Sequence, residues 1–163
     1  MQITLKHARP EDIPALAVLW NNGWQEAHAA IVPEALTRLR TLESFQTRLT
    51  KHLPATRVAW AEGQLMGFSM ILGNELYQLY VAPAARGTGT AQILIQDAED
   101  LIRAAGHERA ILACSIGNER AAQFYRNCGW ICTGETDEAL EVPNGRFTLT
   151  VWRFERELTG QPA

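Results

Sequence analysis

Leu79-Tyr80-Val81-Ala82-Pro83-Ala84-Ala85-Arg86-Gly87-Thr88-Gly89-Thr90-Ala91 is the stretch on which the fold of this chain turns. Leu79, Tyr80 and Val81 read as the end of a strand, and Pro83 stops it. Beyond the glycines, Leu94, Ala98, Leu101, Ile102 and Ala105 recur at helical spacing, with Gly106 as a stop. A strand thus runs through a glycine turn into the start of an amphipathic helix. The first N–H groups of a helix lack internal partners, and the helix dipole is positive there. Gly87 and Gly89 let the backbone curl close to a ligand. The segment therefore reads as an anion cradle of pyrophosphate size, with Arg86 able to add a charged contact. The plain alternative is a strand-to-helix connector. Two other phosphate loops are excluded: Gly89-Thr90-Ala91 lacks the Gly-Lys-Ser/Thr of a P-loop, and two glycines do not make the three-glycine dinucleotide fingerprint.

Working upstream, residues 75–81 form the strand that feeds this turn. Before it, residues 58–61 and 65–71 are strands joined at Glu62-Gly63-Gln64, and Gly73-Asn74 turns the chain again. Residues 3–8 read as a first strand. Pro10-Glu11-Asp12 then opens a helix carrying Ile13, Leu16, Ala17 and Trp20, running to about Ala27. Helices are expected from Pro33 and over residues 42–53. Downstream come a buried strand at 110–116, a helix over 118–127, a strand at 130–133, the Pro143-Asn144-Gly145 turn and a last strand at 146–156. The expectation is one mixed α/β (α+β) domain over residues 1–163 with seven strands, an antiparallel N-terminal half and a frayed tail from Gly160 to Ala163.

Composition narrows the classes of function. The 163 residues are 47% hydrophobic and 20% charged, which suits one globular domain. A net charge of -3 argues against extended nucleic-acid binding. No apolar run reaches the roughly 20 residues of a membrane helix, and the first residues lack a secretory layout, so no membrane partner and a cytoplasmic location are expected. Cys114, Cys128 and Cys132 form no CxxC pair, and four scattered histidines lack metal-ligand spacing. No metal is expected.

Arg86-Gly87-Thr88-Gly89-Thr90-Ala91 resembles the Arg/Gln-x-x-Gly-x-Gly/Ala acetyl-CoA motif of the GCN5-related N-acetyltransferases. A second match follows at the expected distance. Asn118-Glu119-Arg120-Ala121-Ala122-Gln123-Phe124-Tyr125-Arg126-Asn127-Cys128-Gly129-Trp130 is similar to the family's Asn-x-x-Ala-x-x-x-Tyr-x-x-x-Gly-aromatic segment. The resemblance implies a mostly antiparallel sheet of about seven strands flanked by helices, with strands four and five splayed to admit the pantetheine arm.

It further implies acetyl-CoA as acyl donor and direct attack by a primary amine in a ternary complex. Leu79, Tyr80 and Val81 would pair with pantetheine, and Arg86, Gly87, Thr88, Gly89, Thr90 and Ala91 would hold the pyrophosphate. Asn118 and Ala121 would contact the cofactor arm, Asn118 also capping its helix. Tyr125 falls at the family position that protonates the departing thiolate; otherwise it is a packed aromatic. At a lysine-like pKa only about one amine in two thousand is neutral near pH 7, so a base is useful. Glu75, at the head of strand four, resembles the glutamate that serves some members as base; otherwise it is a solvated strand-end carboxylate. A bulge is common in that strand, so alternation does not decide which side chains face the cleft.

Trp20, Trp24 and His28 share one helical face, either as core or, for Trp24 and His28, as a wall of the acceptor pocket. Cys114 has no evident His/Asp partner and is rejected as a nucleophile. A small-molecule amine is the expected acceptor. A protein N-terminus or lysine, and a non-catalytic acyl-CoA-binding regulatory domain, stay open beside it. Homodimers are common in the family, and a homodimer is left open.

Overall fold

The computed structural model describes residues 1–159; the expected frayed tail at 160–163 lies outside the described residues. Seven strands form one sheet: β1 (Thr4–His7), β2 (Thr56–Ala61), β3 (Gln64–Leu72), β4 (Glu75–Val81), β5 (Arg109–Ser115), β6 (Ile131–Val142) and β7 (Gly145–Glu157). Their spatial order is β1-β2-β3-β4-β5-β7-β6. Every neighbouring pair is antiparallel except β4 and β5, which run parallel. The expected mixed, mostly antiparallel sheet is therefore found.

Helices cover both faces. α1 (Ile13–His28), α2 (Glu34–Leu39) and α3 (Leu42–Lys51) lie on one side, and α4 (Thr90–Ala104) and α5 (Glu119–Asn127) on the other. Trp20, Phe45, Leu49, Val58, Phe68 and Met70 pack the first interface. Ile95, Ala98, Ile102, Leu112, Trp130 and Phe154 pack the second. β2 shows why one strand serves both: Val58 joins the first cluster, while adjacent Ala59 joins a smaller one with Leu94 on the α4 side.

A buried anchor ties the second layer together. Glu99 on α4, only 3% exposed, accepts from Trp130 Nε1 at 3.2 Å and from Arg156 Nε at 3.3 Å. Arg156 also donates to the Gly129 carbonyl, and a Cβ at position 129 would lie 2.5 Å from that guanidinium. The Gly129-Trp130 pair thus docks the end of α5 onto α4.

One element is longer than expected. Residues 130–133 were the only part of β6 expected as strand, yet it runs from Ile131 to Val142. Glu135, Asp137, Glu138 and Glu141 disguise it, because one face of this edge strand meets water and the other a polar cavity. Pairing with β7 from Ile131↔Glu155 to Val142↔Gly145 supplies what local propensity does not.

Candidate active site

The parallel strands β4 and β5 share a single paired position, Glu75↔Ile111. β5 and β7, by contrast, pair at seven successive positions from Arg109↔Glu157 to Ser115↔Val151. Beyond Glu75 the two strands diverge, and the edge of β4 at Leu79, Tyr80 and Val81 faces a gap rather than a neighbour. Backbone donors and acceptors along such an edge need partners, and an amide-bearing arm can provide them. The gap opens into a cavity of about 1100 Å³ that runs from the glycine loop to the β6–β7 hairpin.

The loop at the donor end is built for close approach. After a 3-10 turn (Pro83–Ala85), Gly87 has φ 78° and Gly89 φ 86°. Gly89 is the residue before α4, and the first helical bond after it runs from Ile93 N–H to the Gly89 carbonyl. The N–H groups of Thr90, Ala91 and Gln92 precede that bond. A Cβ at Gly87 or Gly89 would meet nothing within 4 Å, so the space above both is open. Thr88 Oγ1 donates to the Ala85 carbonyl and lies 2.7 Å from Thr90 Oγ1, closing the turn. These residues fit a pyrophosphate. Arg86 is held differently: both Glu26 oxygens on α1 accept from its Nη2, at 2.9 and 2.8 Å. Glu26 is also 3.9 Å from Arg120. The Arg86 side chain therefore bridges the loop to α1 through Nη2.

Tyr125 on α5 reaches the same cavity from the β5 side. Its ring packs 5.7 Å from Phe154 and 6.4 Å from Trp130. Burial raises its hydroxyl above the usual phenol range, with Cys114 and Tyr80 close enough to add to the effect, so it stays protonated and available as a donor. Asn118 caps α5, its side-chain oxygen accepting from the Ala121 N–H at 3.4 Å. Burial pushes the Cys114 thiol up to about 12, which supports rejecting it as a nucleophile.

The acceptor side depends on a bulge. Met70 faces Gln78, but Ile71 faces Leu76, leaving Tyr77 as an extra residue in β4. Leu76 and Leu79, three apart, consequently join the α4–α5 core, while Tyr77 and Tyr80 join the α1–α3 side. Without the bulge, residues three apart would point to opposite faces. Glu75 lines the cavity, half-buried, and burial first and Glu138 second push its carboxyl up to about 7. It is thus about half ionised near neutrality, where a general base works best.

On α1, Trp20 is wholly buried, whereas Trp24 and His28 line the cavity. Their rings stack at 4.9 Å, and His28 Nδ1 lies 3.1 Å from the Trp24 carbonyl. Burial drops His28 to about 4, leaving it neutral at pH 7. Nδ1–H then donates to that carbonyl, and Nε2 is left as an acceptor.

A polar cluster at the inner end went unread in the sequence. Glu141 accepts from Lys51 Nζ at 2.8 Å, His52 Nε2 at 2.7 Å and the Tyr77 hydroxyl at 2.5 Å. Burial alone would raise its carboxyl, but these bonds hold it down at about 2. Arg48 Nη2 donates to Tyr77 Oη at 3.1 Å, and Arg40 Nη1 donates to the Glu141 carbonyl. One signal was available: Arg48 interrupts the buried stripe Ser44, Phe45, Leu49 of α3. Tyr77, Arg40 and Glu141 are far apart in the chain, and only folding joins them.

Comparison with known proteins adds independent findings. Residues 18–130 match the sequence profile described as the Acetyltransferase (GNAT) family. Peptidyl-lysine N-acetyltransferase YjaB of Escherichia coli (strain K12) is 23% identical over 137 residues, spanning 84% of this chain and 88% of that protein. A GCN5-related N-acetyltransferase from Rhodopseudomonas palustris superposes with a TM-score of 0.76 at 21% identity, covering 97% of each chain. Spermidine N-acetyltransferase from Vibrio cholerae, solved with CoA and spermine, superposes at 0.67 with 23% identity, over 97% of this chain and 96% of that one.

Proposed function

Because the chain belongs to the Acetyltransferase (GNAT) family, we propose that it transfers an acetyl group from acetyl-CoA to the primary amine of a small molecule. The observation that carries this reading is that β4 and β5 pair only at Glu75↔Ile111 and part toward the glycine loop, beside one continuous cavity from phosphate cradle to acceptor wall. Structural neighbours solved with CoA or acetyl-CoA support the donor.

Bound there, the thioester supplies an acyl carbon open to attack. The residues of this chain do the rest. Backbone N–H groups at the start of α4, with Gly87 and Gly89, receive the pyrophosphate. The free edge at Leu79–Val81 pairs with the pantetheine amides and offers a β4 N–H to the oxyanion that forms. Glu75 takes a proton from the acceptor ammonium, giving the neutral amine that forms the new C–N bond as the C–S bond breaks. Tyr125 donates its proton to the leaving sulfur and is reprotonated, through solvent, by the second proton that the nitrogen sheds on becoming an amide. Trp24 and His28 wall the acceptor side.

A second reading, acetylation of a peptidyl lysine, is favoured by the E. coli relative alone. The test is thiol release from acetyl-CoA across a panel of small amines and a lysine peptide, with mass detection of the product. Turnover with small amines and none with the peptide supports the proposal; the reverse overturns it in favour of the lysine reading. CoA release without an acetylated amine overturns both.

A further inference from the structure

The inner end of the cavity carries two buried arginines, neither of which makes an ion pair among the described residues. Arg40 is 4% exposed and Arg48 7%, and both line the cavity. Arg48 Nε and Nη1 and Arg40 Nε have no hydrogen-bond partner. Buried guanidinium donors left unpaired are costly, and such atoms are rare in native folds. The aromatic floor beneath Arg48, 4.3 Å from its guanidinium carbon to the Trp20 ring, supports the cation but leaves Nε and Nη1 unmet.

The carboxylate beside them is already taken. Glu141 spends both oxygens on Lys51, His52 and Tyr77, and Arg146 approaches it at 4.0 Å. Burial first, and then the neighbouring Arg48, lowers Arg40 to about 10, with Tyr77, Tyr80 and Glu141 acting the other way. A planar anion with two oxygens beside them would give both cations the negative partner that they lack.

The opposite corner has the opposite sign. Glu75 lies within electrostatic reach of Glu138, which outweighs the more weakly acting Arg153 and suits an incoming ammonium. Between them, Tyr80 lies within electrostatic reach of Arg48 and Arg40, and Tyr80 and Glu75 belong to the same strand and line the same cavity. An acceptor carrying a cation at one end and an anion at the other matches both corners. A polyamine matches only one, and its second cation would meet the arginines.

Resting on the acetyl-transfer reading above, we infer that the acceptor is a small amine bearing a carboxylate, an amino-acid-like zwitterion, and that Arg48 and Arg40 bind that carboxylate.

The test uses matched pairs on the wild-type protein in the presence of CoA, with affinity read by calorimetry and turnover by thiol release. Phenylalanine is set against phenethylamine, methionine against 3-(methylthio)propylamine, and 4-aminobutyrate against butylamine. 3-Aminopropylphosphonate and spermidine complete the panel. At least one carboxylate should bind tenfold or more tightly than its twin and than spermidine. Arg48→Met should erase that preference while CoA affinity stays within twofold, and Arg48→Lys should restore part of it. If the Met variant fails to fold, the matched pairs on the wild type decide alone. No carboxylate bound, twins bound equally, or spermidine preferred overturns the inference. A better phosphonate reassigns the anion and overturns the carboxylate. CoA failing to bind while the carboxylate preference stands refutes the acetyl-transfer reading and leaves the anion subsite in place.

Discussion

Replacing Glu75 by Gln removes one ionisable oxygen from the acceptor corner and little volume. With its carboxyl at about 7, the wild-type side chain is half ionised at pH 7. One unit lower, roughly a tenth is ionised, and two units lower about a hundredth. If this carboxylate receives the ammonium proton, kcat/KM should rise tenfold per pH unit below 7. It should then stay level until the acceptor's own pKa, near 10.4 for a lysine-like amine. The Gln variant has no base and depends on amine that is already neutral, so its kcat/KM should keep climbing tenfold per unit across the same plateau. The loss, of order 10²–10⁴ at pH 7 for a typical general base, should shrink about tenfold for each unit of alkalinity. CoA affinity should hold, because Glu75 is remote from the glycine loop in the cavity. Full pH profiles of both proteins, with CoA titrated calorimetrically, check this. Parallel profiles, with a constant ratio from pH 6 to 9, would refute the assignment and leave Glu75 a buried carboxyl with a structural role.

Tyr125→Phe keeps the ring packed on Phe154 and Trp130, and should lower turnover roughly ten- to thousandfold. Donors with a more acidic leaving thiol should suffer less; equal losses with two such donors would reassign the hydroxyl to positioning. Gly89→Val sets a β-branched residue at φ 86° and fills the open space above the loop. CoA should bind at least tenfold more weakly, about 1.4 kcal/mol, in a protein whose circular dichroism is unchanged; wild-type affinity would contradict the cradle. Glu141→Gln should cost on the order of 2–3 kcal/mol at pH 7, because hydrogen bonds hold the folded carboxyl at about 2, below its usual 4.5. A depressed carboxyl stabilises above its unfolded pKa and loses that contribution as pH falls through the folded one. The gap between the two proteins in urea unfolding should therefore close from about pH 4.5 to pH 2; a gap independent of pH would show that the network is not electrostatic.

The donor half of the site was legible because its chemistry is local. Gly87 and Gly89, a helix start at Thr90, and Asn118 seven residues before Tyr125 all sit within short segments. Backbone geometry and helical spacing translate such segments directly into positions. The same holds for the strands that alternate cleanly, as Val58 and Ala59 do on opposite faces of β2. β6 was cut short because its outer half carries acidic residues whose strand conformation comes from pairing with β7, not from their own preference.

What the sequence by itself determined is the order of elements, the strand–loop–helix cradle and the pair of motifs that point to a CoA-dependent acyltransferase. Each rests on contacts between residues close in the chain, where bond geometry leaves few options. Tertiary structure alone decided which side chains meet around the proposed acceptor end of the cavity. The bulge at Tyr77 turned Tyr77 and Tyr80 toward α1 and α3. Packing of the sheet against those helices then brought Arg40, Arg48 and Glu141 to one wall. It also engaged Arg86 with Glu26, sixty residues away. The physical reason is that charge and burial act through space: a carboxyl at about 7 or a guanidinium N–H without a partner is a property of its neighbours, and neighbours are assigned only when the chain has closed on itself.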